Sequence, residues 1–194
     1  MVQNFLLRKA ASLIRYLKDK SNNEMKDKKC AVIACPPLCF PWGYDEEDEA
    51  CAAMKIALCK QISLLRSTGI TQFEIALDRG AGLYAAELIQ NMRETDPVIG
   101  YDCYVPYEEQ ATKWTPELRN RYFAVFPDCG NEVMISPVRT VTCELEALVI
   151  AIDSADSVIA VCDEDDDADY NTAIALKYAR LAGKIIYRIN PNAR

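Results

Sequence analysis

Short apolar runs alternate along this chain with longer segments whose apolar residues recur every three or four positions. The short runs predict buried strands at 30–35, 73–77, 100–105, 132–136, 157–162 and 184–189. The longer segments predict helices at 46–67, 80–93, from 115 onward, 143–155 and 171–182. Strands that alternate with helices form right-handed βαβ units. We therefore expect an α/β fold with a Rossmann-like, mostly parallel sheet flanked by helices.

Cap and turn residues predict where some of these elements begin and end. Asp45 is the predicted N-cap of the helix at 46–67, and Pro106 is predicted to end the third strand. Ligands of such sheets bind beyond the carboxyl ends of the strands. We therefore expect a ligand site among the loops that follow the strands, at 36–45, 78–82, 106–115, 136–142 and 163–170.

The first twenty residues predict an amphipathic helix that is separate from this alternating pattern. Residues 1–20 carry one apolar stripe, the polar segment 21–29 predicts a linker, and 30–194 forms the predicted domain. The stripe consists of Leu6, Ala10, Leu13, Ile14 and Leu17. Such a helix docks on its own domain or on a second subunit, or it binds a membrane surface or a protein partner. A homo-oligomer formed through residues 1–20 is one form of this expectation.

The charge is divided unevenly along the chain. Residues 1–29 carry a formal charge of +5 and residues 30–194 carry −12, which gives −7 for all 194 residues. A domain this acidic repels a phosphate backbone, so we expect no nucleic-acid binding. No apolar run approaches the ~20 residues of a membrane-spanning helix, and the N-terminus does not resemble a signal peptide. We therefore expect no transmembrane segment.

The amino-acid composition excludes several kinds of chemistry. There is no histidine, so His-based acid–base catalysis and His metal ligands are excluded. The nine cysteines are scattered, and none forms a CxxC pair. This pattern predicts reduced, mostly buried thiols in a cytoplasmic protein rather than disulfides or a zinc site. We expect no required cofactor.

Three of the loops hold residues with ligand-binding chemistry. Arg79, Gly80 and Gly82 precede a helix and form either an anion cradle or a plain strand-to-helix turn. An acidic loop follows the fifth strand, and it is either solvated or a weak cation site. Its candidate ligands are Asp163, Asp165, Asp167 and Asp169. Trp42 and Trp114 either stack on a base or pack as a lid or in the core.

Several segments agree in order and spacing with one known group. They include Pro-Trp-Gly-Tyr-Asp-Glu-Glu-Asp at 41–48, Leu-Tyr-Ala-Ala-Glu at 83–87 and Ala-Asp-Ser-Val-Ile-Ala-Val at 155–161. Through them the chain resembles the YpsA/YoqJ-like bacterial proteins of the SLOG superfamily, which also contains the DprA/Smf and LOG proteins. The resemblance implies a Rossmann-like domain of about residues 30–191 that binds a nucleotide or a nucleotide-derived ligand.

The departures from that group fall in the ligand loops. The group has Thr-Gly-His-Arg-Pro after its first strand, where this chain has Ala-Cys-Pro-Pro-Leu at 34–38. After the second strand, a glycine of the group is Leu77 here, and an aspartate is Gly82. LOG enzymes cleave cytokinin nucleotides with a PGGxGTxxE motif, and 169–175 here has neither its glycine pair nor its glutamate. The scaffold is kept and the inherited pocket is altered.

The loops and the resemblance together predict a set of ligand-binding residues and no catalytic residue. The set is Cys35, Pro36, Trp42, Asp78, Arg79, Gly80, Gly82, Glu87, Trp114, Arg121, Asp163 and Thr172. The function we expect is a non-catalytic sensor or adaptor domain that binds a small nucleotide-like ligand or has a degenerate pocket. One alternative is an N-glycoside or phosphate-ester hydrolase of LOG type with remodelled loops. Another is a protein-interaction module that acts through residues 1–20.

Overall fold

The computed structural model describes residues 28–163 and 169–192. Its strands are β1 (Lys28–Ala34), β2 (Ile70–Ala76), β3 (Gly100–Tyr107), β4 (Glu132–Ser136), β5 (Ser157–Val161) and β6 (Ile185–Ile189). Its α-helices are α1 (Glu49–Ser67), α2 (Ala81–Arg93), α3 (Pro116–Ala124), α4 (Cys143–Asp153) and α5 (Tyr170–Leu181). The predicted helix at 1–20 and most of the predicted linker lie outside the described residues.

The strands form one parallel sheet in the order β4-β3-β2-β1-β5-β6. The predicted α/β, Rossmann-like fold is confirmed. Strands β1 to β4 follow one another from the centre of the sheet to one edge. The chain then crosses back to the other side of β1, where β5 and β6 lie. Right-handed crossovers therefore put α1, α2 and α3 on one face and α4 and α5 on the other. The point between β1 and β5 where the order reverses is the usual ligand position in such sheets.

The central strands form because their residues suit a sheet that is covered on both faces. Every residue of β1 from Cys30 to Ala34 is buried, and all of β5 is buried. The core-facing stripe of α1 packs onto one face, with Met54, Leu58 and Ile62 buried. The buried packing holds the carboxyl ends of β1 and β2 in position, and the loops that follow these strands start from there.

Two predicted boundaries are wrong, and three strands, β1, β2 and β3, are longer than predicted. Asp48, not Asp45, caps α1, and its carboxylate accepts a hydrogen bond of 2.7 Å from the Ala50 amide. β3 continues through Pro106, because the ladder with β4 joins the residues on either side of this proline and does not need its missing N–H. β1 begins at Lys28, which pairs with Ile70, so the strand takes the last two residues of the predicted linker.

One buried polar cluster crosses the three strands β1, β2 and β3. Glu74 is fully buried, and its carboxylate lies 2.6 Å from the Lys29 ammonium and accepts a 2.7 Å hydrogen bond from the Tyr104 hydroxyl. Both carboxylate oxygens therefore have partners, as a buried charge requires. In the part of the chain that the structure describes, no helix is long and apolar enough to cross a membrane.

Candidate functional site

A cleft of about 370 Å³ opens at the carboxyl ends of β1, β2 and β3, next to the start of α5. Its size lies within the range of small-molecule sites. Much of its wall is apolar, from Ala34, Pro36, Pro37, Ala76, Leu77, Pro106, Ala147 and Leu148. The other lining residues are Tyr44, Asp78, Arg79, Tyr107, Gln110, Trp114, Arg139, Glu144, Asp169, Asn171 and Thr172. The cleft is thus a concave, partly aromatic site with several polar groups.

Three aromatic rings line the cleft. Tyr44 and Tyr107 come from the loop after β1 and from the end of β3, and Trp114 comes from the turn before α3. Trp114 is held edge-on against the buried Tyr122, with ring centroids 5.1 Å apart. Flat rings such as these offer stacking surfaces to a heterocyclic ligand.

Arg79 brings a positive charge to the cleft. Its guanidinium carbon lies 3.7 Å from the centroid of the Tyr44 ring. Burial lowers the pKa of Arg79 from its ordinary value, and the side chain has no carboxylate partner among residues 28–163 and 169–192. Its N–H donors are therefore available to a carbonyl, hydroxyl or anionic group of a ligand.

Asp78 closes the N-terminus of α2. Its Oδ1 atom accepts hydrogen bonds from the amides of Gly80, at 2.8 Å, and Gly82, at 3.0 Å. Desolvation raises the pKa of Asp78 to about 6, and these backbone hydrogen bonds oppose the rise. The amides that could cradle an anion are thus already bound to a carboxylate of the chain.

Asp169 closes the N-terminus of α5 in the same manner. Its Oδ2 atom accepts a 2.8 Å hydrogen bond from the Thr172 amide. The Thr172 hydroxyl lies 2.9 Å from this oxygen and 3.2 Å from the Ala34 carbonyl oxygen, so it can donate to either one. These contacts tie the start of α5 to the end of β1, next to the switch point.

Replacing Asp78 with asparagine is expected to stabilise the protein at neutral pH. The pKa of Asp78 is about 6 in the folded protein against an ordinary value of 3.8, so folding penalises the ionised carboxylate. This penalty is fully present above about pH 6 and disappears as the pH falls to about 4. Because Asp78 is partly exposed, we expect Asp78→Asn to gain only about 1 kcal/mol at pH 7.5. Denaturant titrations at pH 7.5 and pH 4 measure this gain, and a gain that grows toward pH 4 would contradict the assignment.

The structure places five of the predicted site residues on the cleft wall. These are Pro36, Asp78, Arg79, Trp114 and Thr172. Cys35, Trp42, Gly80, Gly82, Glu87, Arg121 and Asp163 do not line it. Trp42 is buried and stacks on Phe40 with ring centroids 4.9 Å apart. Cys35 is buried as well, and burial raises the pKa of its thiol to about 12.

Glu87 and Arg121 join helices outside the cleft. The Arg121 guanidinium donates two hydrogen bonds to Glu87, of 2.7 and 2.8 Å, and one of 2.7 Å to Glu46. Glu46 also lies 2.6 Å from the Lys55 ammonium. The network connects α2, α3 and the start of α1, so its role is to hold these helices together.

The acidic loop after β5 is described only at its two ends. Asp163 accepts a 2.6 Å hydrogen bond from the Asn192 side chain, and Asp169 is the helix cap already described. Asp165 and Asp167 lie outside the described residues. Among residues 28–163 and 169–192, no three cysteine or acidic side chains come together in a group that could hold a metal ion.

Several residues of the cleft were not predicted from the sequence. Tyr107, Gln110 and Arg139 line the cleft, and all three lie in or beside loops that were expected to carry ligand residues. The position of these loops after the strands was therefore the signal that could have found them. Gln110 is buried, and its amide donates to the Tyr122 hydroxyl at 3.0 Å.

The fold and the cleft define a Rossmann-like α/β domain with a cleft of small-molecule size at the carboxyl ends of β1, β2 and β3. A family model described as the YspA SLOG family matches residues 41–193, which is most of the chain. The chain belongs to this YpsA-type SLOG family, which confirms the resemblance found in the sequence. A search of curated proteins found no significant match.

Proposed function

We propose that this protein is a non-catalytic sensor or adaptor domain whose cleft binds a small nucleotide-derived ligand. The observation that carries the proposal is the cleft itself, which lies at the carboxyl ends of the strands. It combines three aromatic rings with the guanidinium of Arg79, which has no carboxylate partner among residues 28–163 and 169–192. A heterocyclic base suits the rings by stacking. A carbonyl or hydroxyl group of the same ligand suits the N–H donors of Arg79.

The carboxylates of the cleft support a binding role rather than a catalytic one. Asp78 accepts from two backbone amides, Asp169 accepts from Thr172, and Glu144 lies 2.9 Å from Arg139. Each of these carboxylates is thus held in a structural contact. The chain also has no histidine, and its nine cysteines form no disulfide, which supports a reducing, cytoplasmic setting.

One observation favours a hydrolase as the second candidate. A carboxyl with a pKa of about 6 is suited to act as a general acid, and Asp78 has this pKa and lines the cleft. In an N-glycoside hydrolase, such a group would protonate the departing base while water adds to the sugar carbon. The release of free base from a nucleoside or a nucleotide would identify this activity.

A thermal-shift panel combined with product analysis separates the two candidates. The panel consists of adenosine, AMP, ATP, NAD and ADP-ribose. A ligand at about 100 times its dissociation constant adds ~2.7 kcal/mol, which is several degrees for a domain of this size. We expect at least one member to raise Tm without forming product. We expect Arg79→Ala to reduce the shift and Arg66→Ala, whose side chain does not line the cleft, to retain it.

Two outcomes would contradict the proposal. A panel in which no member shifts Tm would show that the cleft does not bind this class of ligand. Free base released in proportion to the amount of wild-type protein, and lost in Asp78→Asn, would show a hydrolase in place of a non-catalytic domain.

A further inference from the structure

Phosphate groups in Rossmann-like clefts usually bind to free backbone amides at the N-terminus of a helix. The first residues of two helices, α4 and α5, line this cleft, and the residues just before α2 line it too. The hydrogen bonds at these three N-termini therefore decide whether the cleft offers a phosphate site.

At the N-terminus of α2, a carboxylate of the chain itself binds the backbone amides. The Asp78 carboxylate accepts from the amides of Gly80 and Gly82 through a single oxygen. A side chain on Gly82 is excluded here, because its Cβ would lie 2.5 Å from the Ala76 carbonyl oxygen. The close approach of α2 to the end of β2 thus holds the Asp78 carboxylate where a ligand phosphate would sit.

At α5 and α4, the arrangement is similar. Asp169 accepts from the Thr172 amide at 2.8 Å. The Cys143 amide at the start of α4 donates to the Thr140 hydroxyl at 3.0 Å, and Glu144 in the first turn is paired with Arg139. At each of these two helix starts, a side chain of this chain therefore accepts a hydrogen bond from one amide.

The charges of the cleft wall also disfavour a phosphate group. Asp78, Glu144 and Asp169 bring three carboxylates, against the two guanidinium groups of Arg79 and Arg139. Glu144 already neutralises Arg139, which leaves one cation, Arg79, against the two capping carboxylates among the described residues of the wall. A phosphate dianion in the cleft would meet this excess of negative charge. It would also find the amides of Gly80, Gly82 and Thr172 already bonded to carboxylates of the chain.

We infer that the cleft selects a nucleoside or a free heterocyclic base, and that it discriminates against the corresponding 5′-phosphate. This inference rests on the proposed function and specifies its ligand. Stacking on the aromatic rings and hydrogen bonds from Arg79 need no phosphate. The volume of about 370 Å³ lies near the lower end of the range of small-molecule sites, which suits a nucleoside or a base.

Calorimetric titration with matched pairs of ligands tests this inference. The probes are adenosine, guanosine, cytidine and uridine, each with its 5′-monophosphate. We expect wild-type protein to bind at least one nucleoside about tenfold or more tightly than its 5′-monophosphate. In Asp78→Ala, two amides are freed and one charge is removed, so we expect this preference to fall at least about tenfold.

Matched variants separate the role of the cap from a general loss of charge. Asp48→Ala removes an N-cap carboxylate from α1, outside the cleft, and should leave the preference unchanged. Asp169→Ala should relax the preference as Asp78→Ala does. If Asp78→Ala does not fold, Asp78→Asn keeps the acceptor oxygen and removes only the charge, and it should still relax the preference.

Each outcome is decisive. A wild-type protein that binds a 5′-monophosphate as tightly as its nucleoside, or more tightly, overturns the inference and leaves the proposed function standing. An unchanged preference in both aspartate variants also overturns it. A protein that binds none of the eight probes overturns the inference, and it overturns the proposed function as well when no member of the thermal-shift panel raises Tm.

Discussion

Replacement of Glu74 by alanine is expected to lower the free energy of unfolding by about 3–5 kcal/mol. Glu74 is fully buried in β2, where it pairs with Lys29 and accepts from the Tyr104 hydroxyl. Removing the carboxylate leaves the Tyr104 hydroxyl buried without this acceptor and Lys29 without its counter-ion. The loss at Tyr104 costs more, because its hydroxyl is buried, whereas the Lys29 side chain is 30% exposed and keeps partial access to water. Denaturant titration at neutral pH measures the effect.

An exposed ion pair provides the control for Glu74. The side chains of Arg139 and Glu144 are largely open to solvent, so we expect Arg139→Ala to change the free energy of unfolding by no more than about 0.5 kcal/mol. Glu74→Gln should fall between the two, since it keeps one acceptor oxygen and loses the charge. Equal losses in Glu74→Ala and Arg139→Ala would contradict the structural role given to the buried cluster.

Gly82→Ala is expected to destabilise the protein by about 2 kcal/mol, although alanine is the better helix former. The new Cβ would lie 2.5 Å from the Ala76 carbonyl oxygen and 3.1 Å from Asp78 Oδ1. The start of α2 must therefore move away from the end of β2. This shift would also lengthen the hydrogen bond between the Gly82 amide and Asp78, so the cleft wall changes together with the stability.

Gly100→Ala is the matched control for Gly82. Its added Cβ would come within 2.8 Å of Gln72 Oε1, the far end of a flexible side chain that can turn aside. We expect a change within about 0.5 kcal/mol for Gly100→Ala. A Gly82→Ala protein that is as stable as wild type by thermal and denaturant unfolding would contradict the close approach of α2 to β2.

The fold could be predicted from the sequence because its signals are periodic. The apolar runs of the six strands and the stripes of the helices repeat over many residues, so an error at one position, such as Asp45 for Asp48, does not change the topology. Pro106 shows the limit of local rules. It lies inside β3 because the residues on either side of it form the ladder with β4, so the missing N–H of the proline is not needed. Only the pairing with β4 shows this.

The cleft was harder to predict because it depends on contacts between distant residues. Asp78 and Arg79 directly follow β2, and this position alone marked them as candidates. Glu87 belongs to the recognised segment at 83–87, but its pairing with Arg121 across 34 positions is visible only in three dimensions. Trp42 was chosen over the neighbouring Tyr44, and it is Tyr44 that lines the cleft.

The self-capped helices give a physical account of the changed loops. Relative to the resembled group, the chain has lost glycines and other phosphate-admitting residues after β1 and β2. In their place, Asp78 occupies the amides at the start of α2, and Pro36 and Pro37 line the cleft without amide donors. In the proposal above, these differences change the ligand that the cleft prefers, while the parallel sheet is kept.

The central claim is that the cleft at the carboxyl ends of β1, β2 and β3 is the ligand site. The most direct test is calorimetric titration of the tightest-binding nucleoside into wild-type protein and Leu148→Trp, which fills the cleft from its α4 wall. Leu64→Trp on the exposed side of α1 is the control. We predict binding to wild type and Leu64→Trp, and a loss of at least about 100-fold in Leu148→Trp. Equal affinity in all three proteins would contradict the claim.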